Sequence, residues 1–241
     1  MAISEIKESS RQARNALQQG IYFVINPFVR ILIRIGVTPN MVTTIGLLGN
    51  IAAAAVLAAE GYAMTQGGGG ADYSRVTLAG ALVIGFSLFD MLDGQVARLG
   101  GMTSTFGAMY DSVLDRYCEL FTLGGIAYWL IGIGDFFGAL LTFLALTGSI
   151  MVSYVRARAE GLGLECKIGF MQRPERVVVT ALALLGAGIY GQCAYDTADF
   201  ISPRLIIVAA MGIIAVFANL TAFARIGHTH RQLRKKEQER R

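Results

Sequence analysis

Six stretches of this 241-residue chain, near residues 41–61, 76–97, 105–133, 136–156, 176–195 and 204–224, are each apolar for about 20 residues. A helix of that length crosses a hydrocarbon layer of about 30 Å, and within such a layer every backbone polar group must be satisfied by the segment itself or by a neighbour. The pattern predicts an all-α integral membrane protein with six transmembrane helices. Composition agrees: 54% of the residues are hydrophobic and the mean hydropathy is +0.52, more than one soluble core requires. Residues 1–18 are polar and of mixed charge, so no cleavable signal peptide is expected and insertion should use the spans themselves.

Residues 20–36 set Ile, Phe, Val and Leu around Arg30 and Arg34. That pattern suits an amphipathic helix lying in the membrane interface, with a short soluble helix as the alternative. The expected organisation is an N-terminal cytoplasmic segment and interfacial helix over 1–37, a six-helix membrane domain over 38–226, and a basic, solvated cytoplasmic tail over 227–241. Thr38-Pro39-Asn40 has the character of a helix start, and Gly67–Gly70 that of a flexible outer loop.

Lys and Arg distribute unevenly over the connections. Arg11, Arg14, Arg30, Arg34, Arg98, Arg156, Arg158, Lys167, Arg173, Arg176 and the tail fall on one face, whereas only Arg75 and Arg204 fall on the other, beside Asp72, Asp135, Asp196 and Asp199. The positive-inside rule makes the first face cytoplasmic, with both termini on it. The net charge of +4 is thereby accounted for at the bilayer, the cell membrane being the expected location, and no nucleic-acid partner is expected. Cys118, Cys166 and Cys193 show neither disulfide nor zinc spacing. His228 and His230 stand alone in the basic tail, and Trp129 reads as an interfacial anchor near the outer end of the third span.

Four carboxylates interrupt this apolar background: Asp90, Asp93, Asp111 and Asp115. An ionisable group within a span is disfavoured by roughly 2.5–3.5 kcal/mol on insertion scales, so a cluster of four needs cations or a wet cavity. Spacings of three and four put each pair on one helical face, and Gly100-Gly101 can reverse the chain so that the pairs meet. An all-oxygen donor set suits Mg²⁺ or Mn²⁺, and two such ions form a clamp for displacement at phosphorus. Gly94, Ala97 and Gly107 fit close approach of a diphosphate, although small residues at helical spacing also serve helix packing. A cation or proton transporter is the rival reading. A relay would spread its carboxylates across the membrane, whereas these four share one depth beside a basic loop.

The run Asp90-x2-Asp93-Gly94-x2-Ala97-Arg98-x8-Gly107-x3-Asp111-x3-Asp115 is similar to the signature of the CDP-alcohol phosphotransferase family, with all eight positions in place. The resemblance implies that a CDP-linked lipid binds with its diphosphate on the metals and an acceptor hydroxyl attacks the lipid-side phosphorus, releasing CMP. By motif order, Asp90, Asp93 and Asp111 resemble the ligands of a first metal, and Asp90, Asp111 and Asp115 those of a second. Asp115 would also be the general base. Arg98 would hold the diphosphate, and Gly94, Ser104 and Gly107 would line the nucleotide pocket. Asn40 and Thr43 resemble the segment that closes on the nucleotide, although a helix cap predicts the same residues. A homodimer is a further implication.

A second cluster, Ser153-Tyr-Val-Arg156-Ala-Arg158 and Gly169-Phe-Met-Gln-Arg173-Pro-Glu-Arg176, concentrates four arginines at the same membrane face. Pro174 lets Arg173 end a loop and Arg176 begin a helix, so two guanidinium groups and a helix N-terminus can address one anion. That makes a phosphate site beside the metals. Both stretches resemble a branch of the family, the phosphatidylinositol-phosphate synthases of bacteria and their archaeal counterparts. The resemblance implies CDP-diacylglycerol as donor and inositol phosphate as acceptor, with Arg156, Arg158, Arg173 and Arg176 at the acceptor phosphate. Arg156 stands where Lys also occurs in that branch. Glycerol 3-phosphate, equally anionic, is the alternative acceptor, and the arginines do not separate the two.

Overall fold

The structure, a computed structural model, describes residues 25–67, 70–193 and 202–239. Residues 1–24 lie outside the described part, as do 68–69 of the glycine-rich loop and the last two residues of the tail.

Eight α-helices form the described chain: α1 over 25–34, α2 Pro39–Thr65, α3 Tyr73–Asp90, α4 Asp93–Leu99, α5 Thr105–Gly132, α6 Phe136–Gly161, α7 Arg173–Cys193 and α8 Arg204–Glu239. Their starts carry local signals. Pro39 occupies the first turn of α2, whose Thr38 cap accepts a hydrogen bond from the Met41 N–H at 3.3 Å. Ser104 caps α5 by accepting from Gly107 at 2.9 Å, and Asp135 caps α6 by accepting from Gly138 at 2.8 Å. Each side chain satisfies a donor that the first helical turn leaves unpaired. Asp72 caps α3 through Ser74, whose hydroxyl also donates to it and holds its carboxyl below the usual carboxylate range.

Five helical segments are long and apolar enough to cross a membrane: α2, α3 taken together with α4, α6, α7 and α8. The sixth expected span, α5, has 28 residues, about 42 Å at ~1.5 Å per residue, but carries Asp111, Asp115, Arg116 and Glu119 within its first fifteen. The helices pack chiefly as α2 with α5, α3 with α7 and α6 with α8. Backbones come close in these pairs: a Cβ on Gly125 would lie 2.8 Å from Ala54 Cα, and one on Gly80 2.8 Å from the Leu185 nitrogen. Small residues at such crossings substitute dispersion contact for the hydrophobic drive that lipid does not supply. Val29 and Leu32 of α1 are buried with Val42, Leu92 and Val96, while Arg30 and Arg34 stay exposed beside Phe28 and Ile31.

Two expectations need correction. The span 76–97 is not one helix: α3 ends at Asp90, and a tight turn in which Leu92 N–H donates to the Phe89 carbonyl at 2.9 Å precedes α4. Trp129 is no interfacial anchor. It is fully buried, edge-on to Tyr73 with ring centroids 6.4 Å apart, because Gly61 lets α2 pass against its backbone. The C-terminal segment, expected as a basic, solvated tail, is largely exposed and helical, α8 continuing without a break to Glu239. There Gln232 and Lys236 donate to the carbonyls of Glu165 and Gly163, both at 3.1 Å, while Leu233 packs on Leu164 and Cys166.

Candidate active site

The turn at Gly100-Gly101, with Gly101 in the left-handed region at φ +63°, reverses the chain between α4 and α5. It brings Asp111 back beside the α3–α4 junction. Oxygens of Asp90, Asp93 and Asp111 come within 4.8 Å of one another, so three of the four expected metal ligands converge. The fourth, Asp115, lies one turn further along α5 and faces the arginines, with Oδ1 2.7 Å from Arg173 Nη1. The trio fits a hard divalent cation on its own chemistry: all donors are carboxylate oxygens, and Asp90 Oδ1 is buried without a hydrogen-bond donor. An unsatisfied buried carboxylate oxygen is costly, and a cation is the partner that relieves it.

Thr43 and Gly46 of α2 set this trio in place. Thr43 Oγ1 donates to Asp93 Oδ2 at 2.9 Å, so this residue orients a candidate ligand. A Cβ on Gly46 would stand 2.9 Å from Asp90 Oδ1, so only glycine admits the carboxylate here. Gly46 escaped the sequence reading, although it follows the Pro39-Asn40 start in step with Thr43.

Two cavities meet at Asp111. One, of about 430 Å³, is lined by Asn40, Thr43, Asp93, Gly94, Arg98, Ser104 and Gly107 among others, and so collects the whole expected nucleotide set. Inside it the small residues have specific neighbours. Arg98's guanidinium lies 3.5 Å from where a Gly94 Cβ would stand, and a Gly107 Cβ would be 3.0 Å from Ser104 Oγ and 3.5 Å from Asn40 Oδ1.

The other cavity, of about 350 Å³, is lined by Asp111, Asp115, Arg116, Glu119, Arg156, Arg173, Arg176 and Arg225 among others. Three of the four expected arginines are here. Arg158 is not: it is exposed on α6, outside the cavity lining. Each of the three has a carboxylate partner. Arg156 Nε pairs with Glu160 at 2.8 Å. Arg173 spans Asp90 and Asp115. Arg176, 3% exposed, donates through Nε and Nη2 to Glu119 and through Nη1 to the Met171 carbonyl at 3.1 Å.

Glu119, Arg116 and Arg225 were missed. Glu119 continues the Asp111–Asp115 face by another four residues, a signal present in the sequence. Arg225 ends the last apolar run, where it reads as a boundary charge. Its side chain is instead buried, donating to the carbonyls of Ile168 at 2.8 Å and Val152 at 2.6 Å. Cys118 and Cys166 are buried and Cys193 exposed.

The family model for CDP-alcohol phosphatidyltransferase matches residues 36–217. The chain is 35% identical over 205 residues to the phosphatidylinositol phosphate synthase of Mycobacterium marinum, covering 84% of this chain and 78% of that protein. It is 36% identical over 180 residues to the archaetidylinositol phosphate synthase of Methanothermobacter thermautotrophicus, covering 74% and 79%. Among solved structures, the Mycobacterium tuberculosis phosphatidylinositol phosphate synthase with CDP-DAG bound superposes with a TM-score of 0.67 at 27% identity, covering 84% of this chain and 92% of that one. The same enzyme in complex with manganese and citrate gives 0.67 at 30% identity. With the motif complete from Asp90 to Asp115, three of its carboxylates converging and the match running over residues 36–217, the chain belongs to the CDP-alcohol phosphatidyltransferase family.

Proposed function

We propose that this chain transfers a phosphatidyl group from CDP-diacylglycerol to inositol phosphate, giving phosphatidylinositol phosphate and CMP. The observation that carries the reading is the meeting of two cavities at Asp111, one built from the motif's small residues and Arg98, the other walled by arginines. A transfer between a diphosphate donor and an anionic acceptor needs that pairing. The relatives support it by their names, since phosphatidylinositol phosphate and archaetidylinositol phosphate synthases head the similar proteins.

In this reading Asn40, Gly94, Ser104 and Gly107 line the nucleotide, Arg98 binds the diphosphate, and Thr43 keeps Asp93 in position. Asp90, Asp93 and Asp111 would hold a first divalent ion, and Asp90, Asp111 and Asp115 a second, Mg²⁺ or Mn²⁺. Bound there, the ions supply Lewis-acid stabilisation of charge on the phosphoryl oxygens. Arg156, Arg173, Arg176 and Arg225 address the acceptor phosphate, and Arg158 stays at the surface. The acceptor hydroxyl oxygen bonds to the lipid-side phosphorus, the bond from that phosphorus to the CMP oxygen breaks, and the hydroxyl proton passes to the Asp115 carboxylate. Six spans with α5 among them, an interfacial helix within 1–37, a membrane domain over 38–226 and a helical extension over 227–241 complete the proposal. Both termini and the site face the cytoplasm of the cell membrane, and the enzyme is a homodimer.

The test is to incubate purified protein with CDP-diacylglycerol, Mg²⁺ or Mn²⁺ and separate acceptors, following CMP and the lipid product. Inositol phosphate should give CMP and a phosphorylated inositol lipid, and EDTA should stop both. CMP release with glycerol 3-phosphate alone overturns the acceptor assignment. Dissipation of an ion gradient in vesicles with no CMP from any acceptor overturns the enzyme assignment.

A further inference from the structure

Arg173 and Arg176 begin the same helix three residues apart, but their partners differ in kind. Arg176 is sunk against Glu119 and a main-chain carbonyl, neither of which belongs to the candidate metal set. Arg173 grips two members of that set, Nη2 lying 3.1 Å from Asp90 Oδ2 and Nη1 2.7 Å from Asp115 Oδ1. Its side chain is still 27% exposed and faces the 350 Å³ cavity. Its Nε is buried without a hydrogen-bond partner, so this seat leaves part of the fork unsatisfied. The group joining Asp90 to Asp115 is therefore a monovalent side-chain cation with one side open to the cavity.

We infer that Arg173 is a coupling residue: its guanidinium and the second divalent ion compete for Asp90 and Asp115, and a phosphate in the arginine cavity draws the guanidinium away. The inference rests on reading that cavity as an acceptor-phosphate site. A planar fork matches a phosphate as well as it matches two carboxylates, so the residue has two alternative seats, one of which vacates the carboxylates. Acceptor phosphate and second ion then tighten each other's binding, and linkage makes the effect reciprocal. Arg176 takes no part in this exchange, because leaving Glu119 would strand a buried carboxylate. Full assembly of the carboxylate site thus waits for the acceptor.

The test counts Mn²⁺ on the purified full-length protein by electron paramagnetic resonance of the free ion, without CDP-lipid, in the absence and presence of inorganic phosphate. The wild type should bind one ion tightly and a second weakly, and phosphate should strengthen the second by about fivefold or more, the lower end of ordinary allosteric coupling. Arg173→Ala should bind the second ion tightly without phosphate and gain nothing from phosphate. Arg173→Gln, nearer in shape, is measured in parallel so that a folding defect in one variant does not decide the matter, and retention of the first ion certifies the site. Arg158→Ala, outside the cavity lining, should leave the phosphate-free second-ion affinity at the wild-type value. The inference is overturned if both Arg173 variants leave second-ion affinity unchanged or weaken it, or if phosphate strengthens it equally with and without Arg173. Failure of the underlying reading looks different: no phosphorylated acceptor yields CMP, whatever the ion counts.

Discussion

The cavity around Arg98 and the cavity around the arginines share Asp111, yet the chain assembles them in opposite ways. The first draws its lining from two short stretches, 38–43 at the start of α2 and 93–111 running from α4 into the start of α5. The second takes residues from α5, α6, α7 and α8, ending at Arg225. One wall is small and local, held by caps and a glycine turn. The other is charged and collected from distant helices, each of its arginines braced by a partner. A site made of adjacent residues is written as a spacing pattern, whereas one made of remote residues exists only once the helices have packed.

The sharpest way to break this division is at Asp115, the carboxylate nearest the arginine wall. Asp115→Asn should lower CMP release by about 10²–10⁴-fold, the usual range for a lost general base, while the melting temperature of the purified protein stays near that of the wild type. Turnover close to wild type would remove Asp115 from the chemistry.

Next in size is the buried pair behind that wall. Glu119→Ala leaves Arg176 charged and buried, a loss expected to cost about 3–5 kcal/mol of stability, read as a lower melting temperature. Glu119→Gln keeps an acceptor for the guanidinium and should lose less. If both substitutions are silent in a thermal melt, Arg176 is not braced as described.

The division itself is tested by a pair of milder variants. If Arg156 binds the acceptor phosphate as proposed, Arg156→Ala removes a charge-assisted contact worth about 1.5–3 kcal/mol, and at about 1.4 kcal/mol per tenfold the KM for inositol phosphate should rise about tenfold or more, with the KM for CDP-diacylglycerol unchanged. Gly107→Ala should do the reverse and less. Its Cβ meets Ser104 Oγ at 3.0 Å, disturbing a cap worth about 1 kcal/mol, so the donor KM should rise several-fold and the acceptor KM stay put. Steady-state kinetics varying one substrate at a time read both, and effects that cross over would merge the two cavities into one.

Legibility followed the same line. The motif from Asp90 to Asp115 and the apolar runs were readable because spacing along a helix fixes which side chains share a face. The break at Met91-Leu92 was not, since neither proline nor glycine stands at those two positions; the helix tightens where Asp93 restarts it and accepts from the Gly94 N–H. Trp129 was misplaced because burial at the end of a span depends on which neighbour crosses it, here α2 at Gly61. Arg158 and Arg176 illustrate the limit for charges. Both belong to one basic cluster in sequence, yet helix orientation leaves the first in the open and sinks the second to 3% exposure.

The unbroken course of α8 makes the C-terminal segment a strut. Its 36 residues extend about 54 Å at ~1.5 Å per residue, running past the buried Arg225 to the contacts that Gln232 and Lys236 make with the 162–172 connection. That connection leads directly into Arg173. The arginine wall is therefore cross-braced by the extension of one of its own helices, and a probe attached near residue 235 would register strain in the wall from outside the cavity.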